Sequence, residues 1–533
     1  MYSRDLVLPQ LLAQRASEHP DRLLLQDVAG RQLTYGETHE AALTWADTLR
    51  RLDVKPGEAL VTMLPTGIES CLVWLGCSWL GAIEAPINTM YRDRMLQYLL
   101  ENTAARVGVF AERFLPLLAE LAPDLGNLEV VVVPDLTAPA PDIGVRIISS
   151  DDLLAQSSPA RDLEGPAHYD IANIIHTSGT TGPSKGVLVP WAELYQFATT
   201  LPDEAIDEHE AHYCCLPTFH VGGKAALYTV VLSGARLVLR EVFSVREFWA
   251  DVRRFRCTTT GLIGVMAQLL AATPAQVDDT DHPLRHLHVA PLFSGIDAFE
   301  RRFGVKSHTG YGMTEIGVPL AMLSEERSDW RSCGRVRPGY EVRIVDEHDE
   351  ELPDGEVGEL LVRSDRPWML NAGYFNMPEA TARAWRNGWF HTGDGFRRDA
   401  DGNYYFVDRL KDAMRRKGEN ISSLEVEAHV RTHPSVLEVA AIAAPSEFGP
   451  GEDEVKVLVV LRPGAALEPS ALLDFLEPSM PRFMLPRYVE IVEDLPKTQT
   501  ARVRKVELRA KAFTERTWDH VTGRYLGPDA DRR

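Results

Sequence analysis

The sequence predicts an α/β protein. It should have a large N-terminal domain of parallel sheets with flanking helices plus a β-rich subdomain, then a small α+β C-terminal domain. Three observations carry this. Short apolar strands alternate with stretches of helical periodicity through the N-terminal half. Beyond Gly339 the texture changes to closely spaced strands. The 533 residues exceed the range of one hydrophobic core, and the stretch after Arg409 is long enough to fold alone.

The elements follow in order. Apolar residues recur at helical spacing over 33–52, and Lys55-Pro56-Gly57-Glu58 makes a turn. Residues 59–64 read as a buried strand, 67–80 as a helix and 82–86 as another strand. Residues 106–110 and 130–134 continue the alternation, which argues for parallel sheet covered on both faces. The proline-bearing stretch 134–166 reads as a surface crossing with short strands, and a second α/β stretch runs over about 212–292. Residues 341–345 and 358–363 are strands of the β-rich unit. Later, 422–432 reads as helix, 436–444 and 455–461 as strands, and 469–478 as helix.

Composition narrows the partners. The net charge is −21, from 56 basic and 77 acidic residues, which argues against a general nucleic-acid binder. Cys71, Cys77, Cys214, Cys215, Cys257 and Cys333 suit neither a zinc site nor a disulfide framework and read as buried thiols of a reducing compartment. The N-terminus lacks the apolar stretch of a signal peptide, and no run is long enough for a membrane span. A cytoplasmic protein without membrane partners is expected.

The sharpest local signal is Ile174-Ile175-His176-Thr177-Ser178-Gly179-Thr180-Thr181-Gly182-Pro183-Ser184-Lys185-Gly186-Val187. An apolar strand delivers hydroxyls and glycines, closed by one lysine. Glycines bring backbone N–H groups against an anion, hydroxyls add donors, and Lys185 supplies a point charge. The spacing is not that of the Walker A loop.

This stretch resembles the phosphate-binding loop of the adenylate-forming superfamily of acyl-CoA synthetases, luciferases and peptide-synthetase adenylation domains. Further blocks match in order: Leu33-Thr34-Tyr35-Gly36-Glu37, Leu216-Pro217-Thr218-Phe219-His220, Tyr311-Gly312-Met313-Thr314-Glu315, Gly388-Trp389-Phe390-His391-Thr392-Gly393-Asp394 and Asp408-Arg409-Leu410-Lys411-Asp412. Near Gly418-Glu419-Asn420 the chain is similar to crotonobetaine/carnitine-CoA ligases.

The resemblance implies ATP as substrate, Mg²⁺ as cofactor and CoA as co-substrate. It places Thr177, Ser178, Gly179, Thr180, Thr181, Gly182 and Lys185 on phosphate. Tyr311 would stack on adenine with Gly312 as a further cofactor contact, Thr314 would lie on phosphate, Glu315 on Mg²⁺, Asp394 on ribose, and Arg409 on the same sugar or a phosphate. The residue types suit these roles: an aromatic face stacks, and a carboxylate offers Mg²⁺ hard oxygens. The bland reading of Thr314 is a cap in a loop, and that of Asp394 a turn residue. The resemblance also implies a domain over 1–408, a hinge at 409–411 centred on Lys411, a mobile C-terminal domain over 412–520 and a tail over 521–533. Gly418-Glu419-Asn420 would meet the channel of the thiol acceptor.

One departure stands out. The family motif ends on a glycine-flanked lysine that bridges the acid and the α-phosphate. Here Pro496-Lys497-Thr498-Gln499-Thr500-Ala501-Arg502 puts Arg502 at that position. Arg is planar and always charged, not interchangeable with an ammonium. Three readings stay open: Arg502 does the lysine's work, Lys497 or Lys505 reaches in, or this half of the mechanism is altered.

The acid is less legible. His220 resembles the position that lines the acyl pocket and gates the carboxylate; its plain alternative is a packed core histidine. Gly222 and Gly223 read as room for a flat or bulky group. Lys224 reads as a solvated lysine, with pairing to a second substrate carboxylate as the alternative. Ser294-Gly295-Ile296-Asp297 loosely matches an adenine and acyl contact. The expected function is an acyl-CoA or aryl-CoA ligase working through an acyl-adenylate. The alternative is an adenylating enzyme with another acceptor or an unusual acid, such as nitrite passed to an aryl amine. An ATP-binding scaffold is disfavoured by intact Lys185, Glu315, Asp394 and Arg409. Size and family habit are compatible with a homodimer.

Overall fold

The computed structural model describes residues 6–122, 124–177, 184–409, 414–416, 419–446, 453–478, 480–497 and 503–527, without the side chains of Arg409, Arg415, Glu419 and Asn420. The chain divides into two compact units. The first comprises 1–177, 184–342 and 362–390; the second comprises 178–183, 343–361 and 391–533. Residues 343–361 and 391–408, which the sequence reading put in the N-terminal domain, thus cluster with the C-terminal region.

The first unit holds a seven-stranded sheet in the order Arg146–Ser149, Val130–Val133, Val107–Phe110, Ala59–Met63, Ile83–Pro86, Ile171–Thr177, Lys185–Pro190. Every neighbouring pair is parallel except the last. Parallel strands buried on both faces read as continuous apolar runs, which is why Val130–Val133 was visible in the sequence. The stretch 134–166, read as a surface crossing with short strands, supplies the edge strand Arg146–Ser149, whose burial is only partial.

Ile68–Leu80 packs on Ile83–Pro86 of this sheet, and Tyr35–Arg51 packs on Ile68–Leu80. Tyr35–Arg51 opens on a capping box: the Thr34 hydroxyl accepts from the Glu37 amide while the Glu37 carboxylate accepts from the Thr34 amide. Ile68–Leu80 is buried almost throughout. The two pack closely because position 76 is glycine; a Cβ there would lie 2.4 Å from Cβ of Trp45.

A second run of strands in this unit has the order Ser332–Val336, Gly317–Met322, Lys306–Met313, His286–Ala290, Thr259–Ile263, Ala211–Cys214, Arg236–Leu239, Leu23–Asp27, Gln32–Thr34. The six strands from Lys306–Met313 to Leu23–Asp27 are mutually parallel, and both flanks turn antiparallel.

In the second unit, Phe390–Arg398 pairs antiparallel with Tyr404–Arg409, and Met414–Arg416 with Glu419–Ile421. A five-stranded sheet runs Val436–Pro445, Asp453–Leu461, Tyr488–Val492, Trp518–Asp519, Arg524–Tyr525. Helices Ser423–Arg431 and Pro469–Leu476 bury Val426, Val430, Leu472 and Leu476 in the same core as Val457 and Val459. The residues read as a tail include the last strand, which pairs with Trp518–Asp519. Five cysteines are buried thiols as expected, whereas Cys333 is partly exposed, and none of the six is in a disulfide.

Candidate active site

The strand Ile171–Thr177 and its antiparallel partner Lys185–Pro190 are the two arms around the glycine- and hydroxyl-rich segment. Their register sets Thr177 opposite Lys185. The Ser184 hydroxyl donates to the Thr177 carbonyl at 2.8 Å, and the Tyr98 hydroxyl donates to the Ser184 carbonyl at 2.9 Å, so both ends of the segment are tied. Ser178, Gly179, Thr180, Thr181 and Gly182 lie outside the described residues, as do Lys411 and Arg502.

Lys185 finds a partner that the sequence did not announce. Its ammonium sits 4.6 Å from the ring centre of Tyr374, a cation–π distance. The hydroxyl of the same tyrosine donates to Glu315 Oε1 at 3.3 Å. Tyr374 thus links the lysine of one motif to the carboxylate of another. Burial and the adjacent Glu315 push its phenol well above the usual range, so it stays a neutral donor. Backbone bonding from Leu188 N to Gly373 O (3.0 Å) and Phe375 N to Gly186 O (2.7 Å) fixes it beside Lys185–Pro190. A sequence signal existed in the Gly373-Tyr374 pair, but nothing local says which motif it meets.

Thr314 and Glu315 occupy the tight connection between Lys306–Met313 and Gly317–Met322, and both are buried. Thr314 does not cap a helix. The connection closes only because position 312 is glycine; a Cβ there would stand 2.4 Å from the Gly317 carbonyl oxygen. The Glu315 carbonyl accepts from the Asn371 side chain at 2.6 Å and its amide at 3.1 Å. Tyr311, half-buried on the strand, donates its hydroxyl to Met313 Sδ at 3.2 Å.

Behind Glu315 lies a second acid absent from the sequence reading. Glu193, on the helix Trp191–Ala198, is fully buried, and neither carboxylate oxygen has a hydrogen-bond partner among the described residues. Burial first, then the neighbouring Glu315, raises its pKa well above the ordinary carboxylate value. The carboxylate of Glu315 offers the hard oxygens that Mg²⁺ prefers, whereas the neutral acid of Glu193 is a poor ligand for it.

His220 is not a packed core histidine. It is exposed at the N-cap of the helix Val221–Ser233, and its Nδ1 accepts from the Gly222 amide at 3.3 Å. Gly223 is not substrate room. A Cβ on Gly223 would lie 2.3 Å from the Pro217 carbonyl oxygen, so the helix start needs glycine to pack on its own approach loop. Lys224 is not solvated either: it is 2% exposed and ion-paired with Glu84, itself 1% exposed. Asp297 is held by Arg327 at 3.0 Å, which accounts for it without a ligand.

In the second unit, Asp394 is buried within the strand Phe390–Arg398, not in a turn, and lies opposite Arg409 in backbone register. Glu359 steadies the approach: one oxygen accepts from the Gly393 amide at 2.9 Å, the other lies 3.0 Å from His391 Nδ1. The described cations of the terminal motif are all engaged. Lys497 pairs with Glu438 at 2.6 Å, Lys505 with Glu427 at 2.7 Å, and Arg504 with Glu507 at 2.6 Å.

The family models and relatives that match the chain make it an AMP-forming ligase. The chain belongs to the AMP-binding enzyme family: the family model matches residues 12–375, and the model of its C-terminal domain matches residues 425–502. It is 31% identical over 504 residues to a crotonobetaine/carnitine–CoA ligase of Escherichia coli, covering 92% of this chain and 96% of the relative. A ligase of the same name from Salmonella paratyphi A is 31% identical over 492 residues, covering 90% and 93%. Among solved structures, the anthranilate CoA ligase AuaEII in complex with anthranoyl-AMP superposes with a TM-score of 0.83 at 25% identity, covering 95% of this chain and 97% of that one. A benzoate CoA ligase from Burkholderia xenovorans shares the fold, with a TM-score of 0.81 at 24% identity over 94% and 99% of the two chains. No helix of the described residues is long and apolar enough to cross a membrane.

Proposed function

We propose that this enzyme activates a carboxylic acid as its acyl-adenylate at the expense of ATP and passes the acyl group to CoA. The observation that carries the reading is the array Lys185–Tyr374–Glu315 beside the Thr177 arm. It sets a cation and a carboxylate on the two sides of one neutral tyrosine.

In this reading a carboxylate oxygen of the acid attacks the α-phosphorus of ATP and pyrophosphate leaves. CoA thiolate then attacks the mixed anhydride and AMP leaves. Positioning and charge stabilisation carry such a transfer. The segment 177–182 and Lys185 hold the phosphates, Thr314 adds a hydroxyl, and Tyr311 and Gly312 lie against adenine. Asp394 and Arg409 hold the ribose. Glu315 would hold Mg²⁺, which when bound would neutralise phosphate charge. His220 borders the acyl group. Arg502 neutralises the α-phosphate, a role favoured by the carboxylate partners that Lys497 and Lys505 already have. The C-terminal part beyond Lys411 alternates between the half-reactions. Buried thiols suit a reducing cytoplasm.

The half-reactions separate the roles. ATP–pyrophosphate exchange should depend on added acid, and Arg502→Ala should depress it more than thioester formation from supplied acyl-adenylate. Equal loss in both would reject the role of Arg502, and exchange without acid would reject the adenylation reading.

A further inference from the structure

We propose that the buried pair Lys224–Glu84 is a positioning device for His220 and so sets affinity for the acid; this rests on the reading of His220 as a border of the acyl site. Stability alone does not account for the pair. Taking two charges out of water costs several kcal/mol per ion, and apolar residues of similar volume commonly serve as well or better. Here both partners are almost fully enclosed.

The pair is built rather than accidental. Glu84 Oε1 accepts from the Thr62 hydroxyl at 2.8 Å, and Oε2 accepts from the Asn173 side chain at 2.9 Å and from the Lys224 ammonium. The same ammonium lies 4.2 Å from the ring centre of Trp74. Lys224 is therefore fixed by strands Ala59–Met63, Ile83–Pro86 and Ile171–Thr177 and by the helix Ile68–Leu80. It is the single charged side chain on the helix Val221–Ser233.

That anchor is one turn from His220 and mechanically coupled to it. The Lys224 amide donates to the His220 carbonyl at 3.2 Å, and the Gly223 amide donates to the same oxygen at 3.1 Å. On the other side, the Thr218 amide donates to the Thr66 hydroxyl at 3.1 Å and the Thr218 hydroxyl to Ser70 Oγ at 3.0 Å. Gly223 leaves no slack against Pro217. A displacement of Lys224 has few places to be absorbed before it reaches the imidazole.

The test uses the full-length enzyme and whichever of crotonobetaine, carnitine, benzoate or anthranilate the wild type adenylates fastest. The double variant Glu84→Met/Lys224→Met replaces the pair with apolar side chains of similar reach. Because the Thr62 and Asn173 donors lose their acceptor, its urea midpoint should fall somewhat, and circular dichroism should show that it folds. Its KM for the acid should rise about tenfold while KM for MgATP stays unchanged, because misplacement at the acyl end weakens only acid capture. A folded double variant with the wild-type acid KM overturns the proposal. If the double variant does not fold, Thr62→Val removes one bond to Glu84 at constant shape. It should raise the acid KM about threefold, and no change overturns the proposal. His220→Ala separates the two readings. If it leaves acid KM untouched, the role of His220 fails and the proposal with it; if it raises acid KM while the double variant does not, only the positioning claim fails.

Discussion

Tyr374 carries two separable interactions, and substitutions can take them one at a time. Tyr374→Phe keeps the ring under Lys185 but loses the hydroxyl that donates to Glu315. Tyr374→Leu loses both. At 3.3 Å the hydroxyl–carboxylate hydrogen bond is long and contributes about 0.5–1.5 kcal/mol, so Tyr374→Phe should lower kcat/KM for MgATP by about two- to tenfold. Tyr374→Leu should cost a further few-fold, because the cation–π contact contributes about 0.5–2 kcal/mol. Steady-state kinetics at fixed acid checks both; equal values for the two variants would remove the ring from the account. At this scale Lys185, Glu315 and Asp394 were legible because short motifs fix them in order along the chain. Tyr374, Glu193 and the partner of Lys224 were not. Each is defined by a contact to a distant element, and a lysine in a sequence carries no mark of whether Glu84 will be waiting for it.

The elements show the same division. Tyr35–Arg51 was readable from periodicity, Ile68–Leu80 from an apolar stretch too long for a strand, and Val130–Val133 from its apolar run. Arg146–Ser149 was legible only as a short strand somewhere in 134–166, because it is a partly exposed edge strand, and Arg524–Tyr525 was not legible, because it is an exposed two-residue strand. Glycines explain how the legible elements are allowed to meet. Gly76→Ala would put a Cβ 2.4 Å from Trp45 Cβ between two buried helices. Overpacking of this kind costs about 1–3 kcal/mol. Urea unfolding should show a lower midpoint, and a midpoint unchanged from wild type would contradict the close helix approach. Gly312→Ala meets the Gly317 carbonyl at 2.4 Å in the connection that carries Thr314 and Glu315. It should therefore lose ATP–pyrophosphate exchange out of proportion to its loss of stability, with circular dichroism as the control for folding.

For the whole molecule, His212, which is buried, and His288, which is half-buried, predict an acid-side loss of stability. Burial lowers the pKa of His212 and of His288 to about 4 from 6.5. His212 Nδ1 lies 2.9 Å from the Thr259 hydroxyl. In the unfolded chain both protonate near 6.5, so between 6.5 and about 4 the unfolded state binds more protons than the folded one. Stability then rises with pH across that window and is lost as pH falls through it. Urea midpoints at pH 7 and pH 5 should differ accordingly, and His288→Gln should flatten the dependence by one proton. An unaltered slope would remove His288 from the explanation.

The central claim is carboxylate activation through an acyl-adenylate followed by transfer to CoA. It is tested most directly by mass spectrometry of the products formed from MgATP, CoA and a panel of aliphatic and aromatic acids. The account predicts AMP, pyrophosphate and one new acyl-CoA mass that disappears when the acid is withheld. ADP and phosphate in place of AMP and pyrophosphate, or AMP formed without any thioester across the panel, would contradict it.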